Sequence, residues 1–346
     1  MAEEQEDSLV WDEDEPLRTE PRGFSQEQMR ACVACGRNNP PTRAGCLYCG
    51  AALPADEAVA GLLTPSLRPL EKWEQGFNVI LLSRPQNFSS DSLNDIASLF
   101  KLETEDAKRI VEANVPLPLA RAATRQDASL FEKSLNALGG KSLIVADRDL
   151  DAHQSKRLRA IEIKDDALLV YTPGSQSAQQ IPWGEIVLLV AGRRMERRLE
   201  VAERKGNRGS EKEIVNASEF SADALRLDLY SNADDGAWRI NADNFDFSGL
   251  GQLKTLVAAT NFQALAQVLR EHAKNAVYDD SYLRVRHALN SVWPLEQHTE
   301  ALGWRKERMG RVNTEAATTS DNETQLTRYS RLLHYLRLHH PEELKA

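Results

Sequence analysis

The stretch ACVACGRNNPPTRAGCLYCG, residues 31–50, decides how the front of this chain folds. It holds all four cysteines, spaced Cys32-x2-Cys35-x10-Cys46-x2-Cys49. Two CxxC knuckles joined by a short loop set four thiolates around one tetrahedral ion. Zinc suits such a site because it is redox-inert and accepts four sulfur ligands. Paired knuckles in a cytosolic chain favour it over disulfides, a redox pair or an iron–sulfur cluster. Gly36 and Gly50 follow the second cysteine of each pair, as a tight knuckle turn requires, and let backbone amides point at sulfur. A segment this small cannot fold on apolar burial alone. One structural zinc on Cys32, Cys35, Cys46 and Cys49 is therefore expected to stabilise it. Four protein ligands leave no open position for catalysis.

Upstream, residues 1–29 hold ten acids and two bases. Such a segment repels itself and has too little apolar surface to offset its ordering entropy, so an acidic disordered tail is expected. Its one apolar island, Leu9-Val10-Trp11, reads as a solubilising tail's incidental feature or as a short docking motif. The knuckles fill residues 30–54, ending at Pro54, and an irregular linker with Pro65 and Pro69 runs over 55–73.

From residue 74 to 148 the pattern is mixed. Phe77–Leu82 is a short apolar run and a strand candidate. Ser90-Asp91 opens a helix with Leu93, Ile96, Leu99 and Phe100 inward, and Thr104 opens another with Ala107, Ile110 and Val111 inward. Pro116 and Pro118 lead into a short strand at Leu119-Ala120. Thr124 and Asp127 form a capping-box-like start for a helix carrying Ala128, Phe131, Leu135 and Leu138. Gly139-Gly140 ends it, and Ser142–Val145 closes the unit as a strand. The expected order is β-α-α-β-α-β.

A short linker over 149–157 precedes a β-rich domain at 158–277. Strands are expected on both sides of an Asp165-Asp166 turn, at SAQQIPW, GEIVLLVAG, LRLDLY and AWRIN, followed by one long helix from about Leu250 to Ala273. Leu253, Leu256, Val257, Phe262, Leu265, Val268 and Leu269 are that helix's candidates for burial. Many short strands with one helix suggest a small barrel plugged by it. The charged stretch Arg193–Lys212 reads as a mixed helix or a solvated hairpin. A partly helical extension is expected at 278–310, a polar linker at 311–324 and an amphipathic helix at 325–346. In that helix Leu326, Tyr329, Leu333 and Leu336 form a heptad-spaced stripe. It docks on its own domain, on a partner or on a second copy.

The whole is a multidomain α+β chain of 346 residues with 41% apolar residues and a formal charge of -9. These figures exclude wholly disordered, coiled-coil and collagen-like classes, and no apolar run reaches the length of a membrane span. The acidic N-terminus is unlike a signal peptide, so a cytoplasmic location is expected. Phosphate-cradling, dinucleotide, zinc-protease and nucleophile-elbow motifs are not found, so no enzyme activity and no small-molecule substrate are expected.

Three resemblances follow from these residues. The knuckles resemble a zinc ribbon and, through CxxC, Asn39 and the ten-residue spacing, the Ran-binding-protein-2-type finger, with Arg30 where that family carries tryptophan. That family includes RNA binders and ubiquitin binders. It makes Arg30, Arg37, Arg43 and Tyr48 candidate nucleic-acid contacts, against a reading of solvated arginines and a packing tyrosine. Residues 74–148 resemble the C-terminal domain of ribosomal protein L7/L12, with the protease adaptor ClpS as a near alternative. The anchors are Val79-Ile80-Leu81, Ala107-Lys108, Val111-Glu112 and Gly139-Gly140. Both families dock proteins. Lys101 and Glu103 stand where the first carries glycines, and Glu105 where it carries a lysine, so the resemblance implies the fold and not the ligand. Residues 158–275 resemble a bacterial pleckstrin-homology-like (PH-like) domain through ALLVYT, QIPWGEIVLLVAG and the closing helix. That makes Arg193, Arg194, Arg197 and Arg198 candidate contacts for an anionic lipid. The expected function is a non-catalytic adaptor with one structural zinc and protein partners. RNA or ribosome association through the basic knuckles, and peripheral membrane binding through the PH-like domain, are the alternatives.

Overall fold

The computed structural model describes residues 25–41, 43, 45–51, 53, 67–68, 70–71, 73–83, 90–151, 155–204, 213–232, 234–308 and 311–344. The island Leu9-Val10-Trp11 and most of the acidic tail lie outside these residues. The chain forms two compact units, residues 1–64 and 65–346. The first contains strands β1 (Arg30–Ala31) and β2 (Asn38–Asn39), paired antiparallel. Among its described residues the buried apolar core is Cys32, Cys46 and Leu53.

The second unit begins with the expected alternation. Strand β3 (Phe77–Ser83) lies between β4 (Leu117–Ala122) and β5 (Lys141–Ala146), antiparallel to both. Helices α1 (Ser90–Phe100), α2 (Thr104–Glu112) and α3 (Arg125–Ala137) complete it. The Thr124 hydroxyl accepts from the Asp127 amide at 3.0 Å, and Gly139 ends α3 at a φ of 82°. Phe100 and Phe131 meet at a ring separation of 5.3 Å in the interior.

A buried polar network locks this sheet. Helix α4 (Asp147–Asp151) begins at the end of the α/β segment, runs into the stretch read as a linker and presents Asp147 inward. The carboxylate accepts from Arg121 Nε at 2.7 Å, Asn78 Nδ2 at 2.9 Å and the Gly76 amide at 2.7 Å. Asn78 Oδ1 in turn accepts from the indole of Trp293 at 2.9 Å. Burial pushes the Asp147 carboxyl up, but the bonds from Arg121 and Asn78 outweigh it and hold the group below its ordinary value. A depressed carboxyl stabilises the fold above its unfolded pKa, and that contribution is lost as pH falls through the folded value. Asp147→Asn leaves Arg121 unmatched and is expected to cost about 3 kcal/mol at neutral pH. The difference in urea midpoint between variant and wild type should shrink as pH is lowered below about 4. A constant difference across that range would exclude Asp147 as the source.

The β-rich part holds two sheets around one core. Strands β6 (Lys156–Leu158), β7 (Ala160–Ile163), β8 (Ala167–Tyr171) and β9 (Gln179–Pro182) precede β10 (Ile186–Arg204), β11 (Glu213–Ser231) and β12 (Asp234–Asn241). β7-β8-β9 form an antiparallel meander, and so do β10-β11-β12. Trp183 and Trp238 are both buried in that core, as expected of large aromatics. The expected long helix is broken. A 3-10 segment spans Phe247–Leu253, Gly251 takes a φ of 55°, and α5 begins only at Ala258 and runs to His272. Leu253, Leu256 and Val257 sit exposed in the break, while Phe262, Leu265 and Leu269 are buried. The left-handed glycine turns the chain out of the helical path.

The run IVLLVA at Ile186–Ala191 is apolar on both faces because β10 divides two cores. Ile186, Leu189 and Ala191 join the β-rich core. Leu188 and Val190 join the core of the α/β sheet. That second core is closed by α6 (Tyr282–Leu289) and α7 (Glu323–His339). The amphipathic C-terminal helix thus docks within its own chain. Leu326, Tyr329, Leu332, Leu333 and Leu336 are fully buried. Gly192 admits it, since a Cβ there would lie 2.5 Å from Leu326 Cδ1. Arg328 grips Asp151 with two bonds near 3.0 Å.

Two segments differ from expectation. The 278–310 extension holds only α6 and the end of β13 (Val277–Asp279) before strand β14 (Glu296–Arg308), and the expected linker at 311–324 is strand β15 (Arg311–Asp321). β15 pairs with β10 from Glu196↔Asp321 to Arg204↔Asn313. The segment TEAATTS looks polar, but its three β-branched threonines, Thr314, Thr318 and Thr319, suit a pleated surface. The sheet order β14-β15-β10-β11-β12-β6 makes a four-stranded arm from the outer halves of β10 and β11 and the β14-β15 hairpin. The charged stretch after Arg193 is therefore a strand as far as Arg204, of the solvated-hairpin type. Residues 205–212 lie outside the described residues.

Candidate metal centre

The two knuckles repeat one geometry. Cys32 N donates to Arg37 O at 2.9 Å and Gly36 N to Cys32 O at 2.7 Å; Cys46 N donates to Ala51 O at 2.8 Å and Gly50 N to Cys46 O at 3.0 Å. Gly36 and Gly50 close these turns at φ values of 70° and 74°. That left-handed conformation is where glycine is favoured. Each turn aims its two sulfurs at the other knuckle.

All four Sγ atoms lie within 4.8 Å of one another, and among the described residues no other such group of metal-ligating side chains occurs. Cys32 and Cys49 sulfurs are 3.6 Å apart, and those of Cys35 and Cys46 3.5 Å. Four sulfurs at about 2.3 Å from a central ion stand about 3.8 Å apart on tetrahedral geometry. The spacing fits one ion and is far beyond a disulfide bond of about 2 Å. The group can therefore hold one metal ion.

Electrostatics point the same way. For Cys46, burial raises the thiol pKa, but the amides of Tyr48 and Cys49, with Cys35 and Asn39, outweigh it and bring it down to about 6. For Cys49 the Ala51 amide favours the thiolate, yet the neighbouring Cys35 and Cys32 sulfurs and burial push it up to about 12. One thiolate forms readily and the last does not, because four negative sulfurs at this range repel. A cation at their centre removes that conflict.

Asn39 is the supporting residue whose role the spacing did not show. It is fully buried, and its Nδ2 donates to Arg37 O at 2.8 Å and to Cys46 Sγ at 3.5 Å. Its Oδ1 accepts from the Leu47 amide at 2.8 Å, tying one knuckle to the other. The sequence marks Asn39 only as part of the finger resemblance, beside Asn38 in the ten-residue loop, and not as a bond to sulfur.

The other candidate residues fall into two places. The Arg37 guanidinium lies over the Tyr48 ring at 4.8 Å, so this aromatic face already carries a cation. Arg30 sits in β1 opposite Asn39, and Arg43 is exposed with its amide on Pro40 O at 3.2 Å. On the arm, Arg193 pairs with Asp223 at 2.8 Å, Arg197 with Glu219 at 2.6 Å and Arg198 with Glu200 at 2.8 Å and Glu300 at 2.9 Å. Arg194 pairs with Glu196 and, at 3.1 Å, with Glu323. All four carry carboxylate partners rather than forming a bare cationic cluster. No helix among the described residues is long and apolar enough to cross a membrane.

No protein-family model, no curated protein and no solved structure matches this chain.

Proposed function

We propose that this chain is a non-catalytic adaptor whose front module is a zinc ribbon and whose second unit carries further docking surfaces. The observation that carries the reading is the outer surface of the knuckles. Val33, Leu47 and Tyr48, at the tips between the cysteines, are 85%, 54% and 57% exposed. Apolar side chains held out by a closed four-thiolate centre suit a small protein contact. Zinc is the ion such a sulfur set favours, with the structural role and no open position.

The rest of the fold supports the module assignments. The β-α-α-β-α-β order and three-stranded antiparallel sheet suit an L7/L12-like docking domain. Lys101 takes a φ of 53°, the conformation a glycine would supply at that turn. Two antiparallel meanders around α5 suit a PH-like body, to which the arm is an addition. The carboxylate partners of Arg193, Arg194, Arg197 and Arg198 favour a protein role over headgroup binding. Several modest contacts on one chain would act together through effective concentration.

The test is capture of partners by the purified full chain, compared with a Val33→Asp/Leu47→Asp/Tyr48→Asp variant of equal metal content. A partner retained by the wild type and lost by the variant is the expected result. Identical captured sets would remove the ribbon from the binding surface. RNA retained in a salt-sensitive manner, or flotation with anionic vesicles, would replace the protein reading.

A further inference from the structure

At the root of the arm, strands β10, β11 and β15 face helix α6 across a cavity of about 540 Å3. That is within the usual range for small-ligand sites. Met195, Ala222 and Leu295 supply apolar wall, and Asn290, Ser320 and Arg286 supply polar groups. The strand charges beside it are already matched, Arg193 by Asp223 and Arg197 by Glu219. Glu196 is matched by Arg194.

Arg286 is different. Among the described residues it makes no ion pair; its guanidinium rests against the Met195 thioether, and its Nε is buried without a hydrogen-bond partner. The cavity thus sets one guanidinium without an ion pair beside the apolar wall of Met195, Ala222 and Leu295, among strand charges that are paired with one another. A partly buried guanidinium favours an anion that offers two coplanar oxygens. The wall opposite is also continuous with an open surface. Met195, Arg197, Leu199 and Val201 alternate along β10 and so share one face of the arm.

We propose that this cavity binds a carboxylate carried on a short apolar body. The carboxylate pairs with the Arg286 guanidinium, and the body lies against Met195, Ala222 and Leu295. The same chemistry belongs to a free aliphatic acid and to the apolar C-terminus of a polypeptide. In the second case the preceding residues would leave over Leu199 and Val201. The proposal stands apart from the metal centre and from the adaptor reading.

The test uses the full chain and isothermal titration with four probes: octanoate, octanamide, N-acetyl-leucyl-leucine and its C-terminal amide. At least one acid should bind saturably, about tenfold or more tighter than its amide. Arg286→Gln should abolish that preference while leaving the weaker binding of the amide unchanged. Leu295→Trp, which fills the mouth, should abolish binding of acid and amide alike. Octanoate binding the tighter points to a free acid; the dipeptide binding the tighter points to a chain end. No saturable binding of either acid below about 10 mM overturns the proposal. So does equal binding of acid and amide, a preference that survives in Arg286→Gln, or inorganic phosphate competing as well as the acids do. The melting temperature of each variant, held near that of wild type, shows that a lost preference is not lost folding.

Discussion

Cys46→Ser is expected to abolish metal binding and to unfold the front module while the second unit stays folded. Cys46 Sγ accepts from the Tyr48 amide and from Asn39 Nδ2 and lies 3.5 Å from the Cys35 sulfur. The module's apolar core, Cys32, Cys46 and Leu53 among the described residues, cannot hold it together. Structural zinc in small modules contributes on the order of 10 kcal/mol of folding free energy. A core of this size supplies far less. Elemental analysis should find about one zinc per wild-type chain and almost none in the variant. Amide hydrogen exchange should then show residues 30–53 unprotected and residues 77–146 unchanged. Chelation of the wild type should reproduce both results. A variant that keeps a full equivalent of metal would show that the four sulfurs do not share one ion. Less than about half an equivalent of zinc in reduced wild-type chain would show the same of the assignment to zinc. Because the ligands must lose their protons, affinity should fall as pH is lowered, read by competition with a chelator at a series of pH values.

Leu333→Ala in α7 is expected to destabilise the second unit by about 2–5 kcal/mol, read from the midpoint of urea unfolding. Leu333 is fully buried in the core that β3, α2 and α6 share. Ending the chain at Asn322 should do more. It removes Leu326, Tyr329, Leu332, Leu333 and Leu336 together, on the order of 10 kcal/mol of apolar burial. That is comparable with the whole stability of an ordinary domain. The truncated chain should therefore lose its near-ultraviolet signal and bind hydrophobic dyes. The alternative, in which the helix stripe serves a partner and the domain folds without it, predicts a stable truncated protein.

What could be read from residues alone was local. The knuckles were legible because four cysteines and two glycines at this spacing suit a four-sulfur metal site and little else. The helices carrying Phe100, Val111 and Phe131 were legible because each has a periodic apolar face, and the last also has its Thr124 cap. The strand pairings that build the arm were not. Arg204 meets Asn313 across more than a hundred residues, and no spacing in TEAATTS points to β10. The stripe on α7 was visible, but its target depended on Gly192, whose missing side chain makes room for Leu326. The helix expected from Leu250 failed at Gly251, where one positive φ outweighed the apolar periodicity of Leu253, Leu256 and Val257. At the metal centre the ligands were legible and Asn39's support was not, since a hydrogen bond to sulfur leaves no periodic trace.

The seating of α7 also orders events in time. The sheet that begins at Phe77 is fully synthesised once Ala146 emerges, yet its core stays open until Leu336 follows. At roughly 5–20 residues per second the ribosome needs on the order of ten to forty seconds to deliver it. During that interval the nascent sheet exposes the apolar surface that the last helix will cover. Chaperone dependence on translation speed is the expected signature: slowing elongation between residues 146 and 336 should raise the fraction that aggregates before release.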